Sequence, residues 1–262
     1  MTRKTSPGNA DALRRFFVPP NSVVGTQVLF PADEARHAAA VLRLHPGDHV
    51  IVIDGTGVER TVILTEVAPG KVAGRVVETR VISQRGVLAL VQGVPKGARM
   101  DDVVRMGTEL GVSEFFPFLS KRTVAEGRGR TGRWQRIAVE SAKQSRRSDV
   151  PAVHAPAPLH DVLVQIAGYN LIVLLWEGEQ SRTMAQALAR LAPPASVAII
   201  VGPEGGLAEQ EVDAAVARGA VPVTLGPLIL RTETAGVVAL AIVRYELGRK
   251  AGSDVRMTTG SS

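Results

Sequence analysis

The residues best suited to chemistry lie in three short segments in the last third of the chain. They are Leu174-Leu175-Trp176-Glu177-Gly178-Glu179, Val201-Gly202-Pro203-Glu204-Gly205-Gly206-Leu207 and Leu225-Gly226-Pro227-Leu228-Ile229-Leu230-Arg231-Thr232-Glu233-Thr234-Ala235. Each closes or follows an apolar run that reads as a strand. Gly202, Gly205 and Gly206 let backbone approach a ligand closely and allow positive φ. Pro203 stiffens the same turn. Helix starts after the second and third segments leave backbone N–H groups without intrahelical partners. One such loop is ordinary turn chemistry, but three at consecutive strand ends make a ligand pocket. Arg231 brings a cation to it. Glu204 and Glu233 bring carboxylates that either accept a proton or orient the backbone or Arg231. Thr232 and Thr234 read as helix caps and pocket walls.

Other patterns dissolve on inspection. Gly127-Arg128-Gly129-Arg130-Thr131-Gly132 matches G-x-G-x-x-G but does not leave a strand as a dinucleotide fingerprint must, and reads as a basic loop. Asp54-Gly55-Thr56-Gly57 follows a strand, yet the alternating Val58-Glu59-Arg60-Thr61-Val62 makes it a hairpin. Gly70-Lys71 lacks the rest of a P-loop. His45 and His49 have helical ligand spacing, but Pro46 and Gly47 between them forbid the helix, so no metal site is expected. The chain has no cysteine, which removes disulfides, thiolate metal sites and cysteine nucleophiles.

The elements that must position these loops fall into two grammars that change near residue 84. From Arg15 to Val81 the pattern is mostly β: Val50–Ile53, Val58–Val67 and Val72–Val77 read as strands, with turns at residues 54–57 and at Pro69-Gly70, and one helix over Asp33–Leu44. This predicts a small β-barrel over residues 13–83. From residue 84 to 250 strands and helices alternate. Strands are expected at Val87–Val91, Phe115–Leu119, Leu171–Trp176, Val197–Val201 and Val221–Leu225. Helices are expected at Arg99–Leu110, Arg133–Arg146, Thr183–Leu191, Ala208–Ala217 and Thr232–Leu247. That alternation predicts an α/β domain with a mostly parallel sheet, whose ligands sit at the carboxyl ends of the strands. Residues 1–12 and 251–262 read as disordered tails.

Composition sets the class. Of 262 residues 45% are hydrophobic and 21% charged, as in ordinary soluble proteins. Lys and Arg exceed Asp and Glu by 31 to 25, and the net charge of +6 favours a polyanionic partner. Met1–Ala12 has no signal-peptide core and no apolar run approaches a membrane span, so a cytoplasmic location without membrane attachment is expected.

Taken together, these residues resemble a family. Gly202-Pro203-Glu204-Gly205-Gly206, with Leu225-Gly226 and Ile229 to Ala235, resembles the RsmE family of 16S ribosomal RNA uridine-N3 methyltransferases in the SPOUT superfamily. Arg15-Phe16-Phe17, His37 with Val41-Leu42-Arg43, Gly47-Asp48 and Asp54-Gly55 resemble its PUA-like N-terminal domain. Glu109 to Val112, Arg133-Trp134, and Gln144 to Arg147 followed by Val150-Pro151 resemble its middle. Leu228, Met106 and Ala152 depart from the usual basic, basic and acidic residues. The resemblance implies a trefoil-knotted parallel-sheet domain behind a PUA-like barrel, a homodimer, and S-adenosylmethionine as cofactor. The cofactor-binding residues it implies are Leu175 and Glu177; Val201, Gly202, Pro203, Gly205 and Gly206; and Leu225, Gly226, Ile229, Leu230, Thr232, Thr234 and Ala235. No metal is implied.

The activity so implied is methylation of N3 of a uridine in 16S rRNA, free or in the small ribosomal subunit. Uracil N3 becomes a nucleophile when its proton leaves, and the charge spreads to the flanking carbonyl oxygens. A fixed cation there stabilises the transition state, which makes Arg231, with Glu204 and Glu233, the catalytic set. Arg15, Arg43, Lys96, Lys121, Arg122, Arg146 and Arg147 are the expected RNA contacts, with Arg14, Arg36, Arg128 and Arg130 beside them. Two other readings remain open: a SPOUT-type ribose 2′-O-methyltransferase, against which stands the absence of a Ser-Leu-Asn pattern before the last helix, and a non-catalytic RNA-binding ribosome assembly factor.

Overall fold

The computed structural model describes residues 13–82, 86–122 and 129–251. Of the expected tails, 1–12 and 252–262 lie outside the described residues, as does Arg128. The chain forms two compact units: residues 1–83 with Ala142–Val150, and Gln84–Ser141 with Pro151–Ser262.

The first unit holds β1 (Arg15–Phe17), β2 (Val23–Val24), β3 (Gln27–Leu29), α1 (Ala32–Arg36), β4 (His49–Ile53), β5 (Val58–Ala68) and β6 (Lys71–Val81). The strands form one six-stranded sheet in the order β1-β4-β5-β6-β3-β2. The β1–β4 pair is parallel and the others antiparallel. The β4–β5 hairpin turns on Gly55 and Gly57, at φ 82° and 84°. Register shifts at Thr61/Val62 and Leu64/Glu66 break the β5–β6 ladder. Such bulges bend a strand pair, and one face of the sheet packs on Phe16, Val28, Phe30, Val50, Val52, Val62 and Leu64. The helix expected over 33–44 is shorter: α1 continues as one wide turn over His37–Val41, and Arg43 then takes φ 52°. His37 meets Phe16 edge-on, a packing role.

The second unit holds β7 (Val87–Gly93), α2 (Arg99–Glu109), β8 (Glu114–Leu119), the start of α3 (Thr131–Gln144), β9 (Ala152–Val153), β10 (Ala157–Pro158), α4 (Leu159–Gln165), β11 (Leu171–Leu175), α5 (Met184–Leu188), β12 (Ser196–Val201), α6 (Glu209–Val216), β13 (Ala220–Val223) and α7 (Thr232–Lys250). Its seven strands form a parallel sheet in the order β10-β8-β7-β12-β11-β13, with β9 also on β8. Parallel strands covered on both faces are apolar throughout, and Val197, Ala198, Ile199 and Ile200 are each fully buried. Ala198 and Ile200 face α4 and α6 in one core. Leu90 faces the other side, where its side chain meets α7 at Gly236. From the edge strand β13, α7 returns to the sheet centre and packs on α2, β7 and β12.

Candidate functional site

The site is assembled by the carboxyl ends of β7, β11, β12 and β13 and by the first turn of α7. The exits of β7 and β12 touch. A Cβ on Gly93 would stand 2.5 Å from both the nitrogen and Cδ of Pro203, so only glycine allows this approach. The β12 loop then folds tightly, with the Gly206 N–H donating to the Pro203 carbonyl at 2.9 Å and Gly206 at φ 69°. A Cβ on Gly202 would lie 3.2 Å from Leu207 Cγ, one on Gly205 3.2 Å from Arg122 Cβ, and one on Gly206 3.2 Å from Glu177 Oε1. The Arg122 guanidinium donates to the Gly205 carbonyl at 3.1 Å. Backbone is therefore the surface that this loop presents.

The flanking loops are tied to one another. The Trp176 N–H donates to Val223 O at 3.3 Å, and the Thr224 N–H to Arg182 O at 2.9 Å. Glu179 organises the segment after β11: hydrogen bonds from the Arg182 N–H and from the N–H and hydroxyl of Ser181 pull its carboxyl down to about 2. Leu175, Leu225 and Leu230 are half-buried around these exits. Val201 and Pro203 are buried. Gly226 turns the β13 loop at φ 114°. Ile229 and Leu228 project from that loop at 96% and 79% exposure, so they wall no enclosed cavity within this chain.

Charge at the site is arranged around a residue that the sequence reading passed over. Arg99, the first residue of α2, holds Glu204 at 2.6 Å and approaches Glu233 at 3.7 Å. Glu204 also accepts from the Lys96 N–H at 2.9 Å. Burial pushes the Glu204 carboxyl up, but hydrogen bonds from its own backbone, Lys96 and Arg99, with the Arg99 charge, outweigh it and hold the group below the usual carboxylate range. Oε2 of Glu233 is buried and has no hydrogen-bond partner among the described residues. The bracing of a carboxylate considered for Arg231 is thus performed by Arg99. Arg231 is the N-cap residue of α7 and is exposed, and its guanidinium has no ion-pair or hydrogen-bond partner among the described residues.

The threonines also differ from expectation. Thr232 caps nothing: it is the first residue inside α7, 7% exposed, and its hydroxyl donates to Gly202 O at 2.5 Å while accepting from Gln92. Thr234 is exposed, and the Ala235 N–H donates to Arg231 O at 2.8 Å. Neither Arg99 nor Gln92 carried a strong sequence signal. Both lie at the β7 exit and the helix that follows it, a loop whose Gly93-Val94-Pro95-Lys96-Gly97 shares the glycine and proline of the β12 and β13 exits.

The basic residues divide by pairing. Arg15 pairs with Glu59, and Arg147 with Asp149. Lys121 donates to Gln210, Arg122 to Gly205 O, and Arg130 to Gly97 O. The side chains of Arg43, Lys96 and Arg146 are exposed and unpartnered among the described residues, and Arg14 and Arg36 are exposed. No helix among the described residues is long and apolar enough to cross a membrane, and no cluster of three metal-ligating side chains occurs among them.

A parallel-sheet domain with glycine-built strand exits, joined to a β unit, is the architecture of a two-part RNA methyltransferase. Residues 83–244 match the RNA methyltransferase domain family and residues 30–77 the RNA methyltransferase PUA domain. The chain is 34% identical over 233 residues to the ribosomal RNA small subunit methyltransferase E of Synechocystis sp., covering 87% of this chain and 76% of that protein. It is 32% identical over 227 residues to the protein of that name from Bacillus subtilis, covering 82% and 88%. The crystal structure of ribosomal RNA small subunit methyltransferase E from Neisseria gonorrhoeae, bound to S-adenosylmethionine, is 30% identical and superposes with a TM-score of 0.76, covering 89% of this chain and 97% of that one. The chain belongs to the ribosomal RNA small subunit methyltransferase E family.

Proposed function

We propose that this protein transfers a methyl group from S-adenosylmethionine to N3 of a uridine in the RNA of the small ribosomal subunit. The observation that carries the reading is Arg231: a cation at the mouth of the strand exits whose side chain has no partner among the described residues, while Arg99 serves both neighbouring carboxylates. The same residues fit the cofactor. Gly202, Gly205 and Gly206 form a backbone cradle that a Cβ would crowd, and Leu175, Leu225 and Leu230 offer apolar surface to a flat base. Val201, Pro203, Gly226, Thr234 and Ala235 complete its surroundings, with Glu177 at the rim and Thr232 holding the cradle from below, while the exposed Ile229 closes over the cofactor only if a second copy covers it. When bound, S-adenosylmethionine supplies an already activated methyl group.

The protein's own contribution is then position and charge. Arg231 faces the carbonyl oxygens of the uracil, and stabilises the negative charge that builds there as N3 loses its proton. Glu204 is held low and is a weak proton acceptor. With Glu233 it acts through Arg99, fixing the β12 loop and the start of α7 around the reacting atoms, and the proton leaves to solvent. Arg43, Arg146 and Lys96 meet RNA phosphates. Arg15, Lys121, Arg122 and Arg147, each already bonded, shape those surfaces. We infer a cytoplasmic homodimer built on a trefoil-knotted domain, paired through α7, whose Val238 and Ile242 are half-buried and whose Tyr245 is 52% exposed.

The test is to incubate purified protein with S-adenosylmethionine and either small-subunit RNA or intact small subunits, then identify methylated nucleosides by mass spectrometry. N3-methyluridine is expected. A 2′-O-methylated nucleoside, or no methylated product with either substrate, contradicts the reading.

A further inference from the structure

One fully buried polar side chain stands at the centre of the sheet and takes no part in the chemistry above. Gln92 is the penultimate residue of β7, in register with Val201 of β12 and Pro117 of β8, and its exposure is 0%. Its Nε2 donates to Gly93 O at 3.1 Å and to the Thr232 hydroxyl at 2.8 Å. The hydroxyl donates onward to Gly202 O at 2.5 Å. The direction of this chain is fixed, because both carbonyls can only accept. The amide nitrogen must face Gly93 and Thr232, and the hydroxyl proton must point to Gly202. Three segments are thereby joined at one point: the exit of β7, the exit of β12 and the first residue of α7.

The other end of the amide shows what this arrangement costs. Oε1 of Gln92 is buried without a partner among the described residues, and it lies against α7, where a Cβ on Gly236 would stand 3.3 Å away. A buried acceptor with no donor destabilises the fold, and an apolar side chain of the same length would not carry that penalty. The unpaired oxygen offsets what the two donated bonds contribute, so net stability is a poor account of glutamine here. What remains is the directional work of its two N–H groups.

We propose that Gln92 is a positioning residue for methyl transfer. Its amide orients the Thr232 hydroxyl, which pins the first turn of α7 to Gly202 and so fixes the place of Arg231, the preceding residue. The proposal rests on the role given to Arg231 above. Gln92→Leu, Thr232→Val and the double variant test it with three readouts. In single turnover each single variant loses about tenfold in rate, and the double variant loses no more than the worse single one, as residues of one relay must. Thr232→Ser, which keeps the hydroxyl, loses less than threefold. The melting temperature of Gln92→Leu equals or exceeds that of the unaltered protein, and its cofactor affinity stays within threefold. Hydrogen exchange needs no turnover: the Ala235 amide, which closes the first turn of α7, exchanges several-fold faster in both single variants, while Leu240 and Val243 do not change.

Unaltered exchange at Ala235 overturns the proposal. So do losses that multiply in the double variant, and a rate loss that merely follows a lower melting temperature. Faster exchange at Ala235 together with full activity in Arg231→Ala leaves the relay standing and overturns the reading of Arg231 instead.

Discussion

Arginines are held in two opposite ways across the two units, some free and some bound. In the first, Arg43 and Arg146 sit on left-handed backbone at φ 52° and 58°, with side chains that are exposed and without partners among the described residues. That conformation disfavours any residue with a Cβ by about 1 kcal/mol or more. In the second, Arg99, Arg122 and Arg133 are each bound to a named acceptor, while the exposed side chain of Arg231 has no partner among the described residues. The charges proposed to meet phosphates are left free, even on unfavourable backbone. A charge that must hold a loop is bound to it. The first unit also has its braces, Arg15 on Glu59 and Arg147 on Asp149, so pairing rather than location marks the difference.

The comparison breaks most sharply at the β12 loop. Gly206→Val places a branched side chain at φ 69° and 3.2 Å from Glu177. Cofactor affinity should fall more than about a hundredfold, or roughly 2.7 kcal/mol, by calorimetry. Unchanged affinity removes that loop from the site. Next comes the brace: Arg99→Met frees Glu204 and Glu233, and kcat/KM should drop about tenfold. Stability should change by less than about 1 kcal/mol, because the pair is part-exposed. Stability loss without loss of activity would make Arg99 structural only.

The free arginines give smaller effects of a different kind. Arg43→Gly and Arg146→Gly should each be about 1 kcal/mol more stable than the alanine variants of the same positions, because glycine accepts the backbone angle. Both substitutions should weaken RNA binding about three- to tenfold and reduce its salt slope by about one. Equal affinity and slope would show that these charges are only solvated surface. The smallest effect is that of acid. The Glu204 carboxyl is depressed in the fold, so its contribution is complete above the ordinary carboxylate pKa of about 4.3 and is lost as pH falls through the lower folded value. Cofactor affinity should be flat from about pH 8 to 5 and fall below about pH 4; a fall that begins near pH 6 contradicts the assignment.

Much of this was legible in the residues. The alternation after residue 84 foretold β7, α2, β8, β11, β12 and α7, because buried parallel strands are apolar runs and Gly111, at φ 87°, closes α2 where a glycine should. The three strand exits were legible for the same reason: glycine and proline mark places where backbone must bend or approach. The short β9, β10 and α4 were not, since two-residue strands and a two-turn helix carry no period. The return of Ala142–Val150 to the first unit is a tertiary fact with no local signal. Arg99 was hidden because an arginine at a helix start is ordinary, and its importance lies in Glu204, a residue 105 positions away. Gln92 was hidden inside an apolar strand, where a single amide reads as an interruption. Thr232 was misread as a cap because its sequence position suits one, whereas its hydroxyl finds Gly202 O across the sheet.

We propose that the Arg231 side chain, without a partner among the described residues, is kept free to meet charge that exists only in the transition state. Single-turnover methylation by Arg231→Ala, saturated with S-adenosylmethionine and RNA, tests it most directly. The rate should fall about a hundred- to a thousandfold, or roughly 3–4 kcal/mol, with Arg231→Lys recovering part of it, while cofactor affinity and melting temperature stay where they were. A near-normal rate, or a joint loss of cofactor affinity and thermal stability, would contradict it.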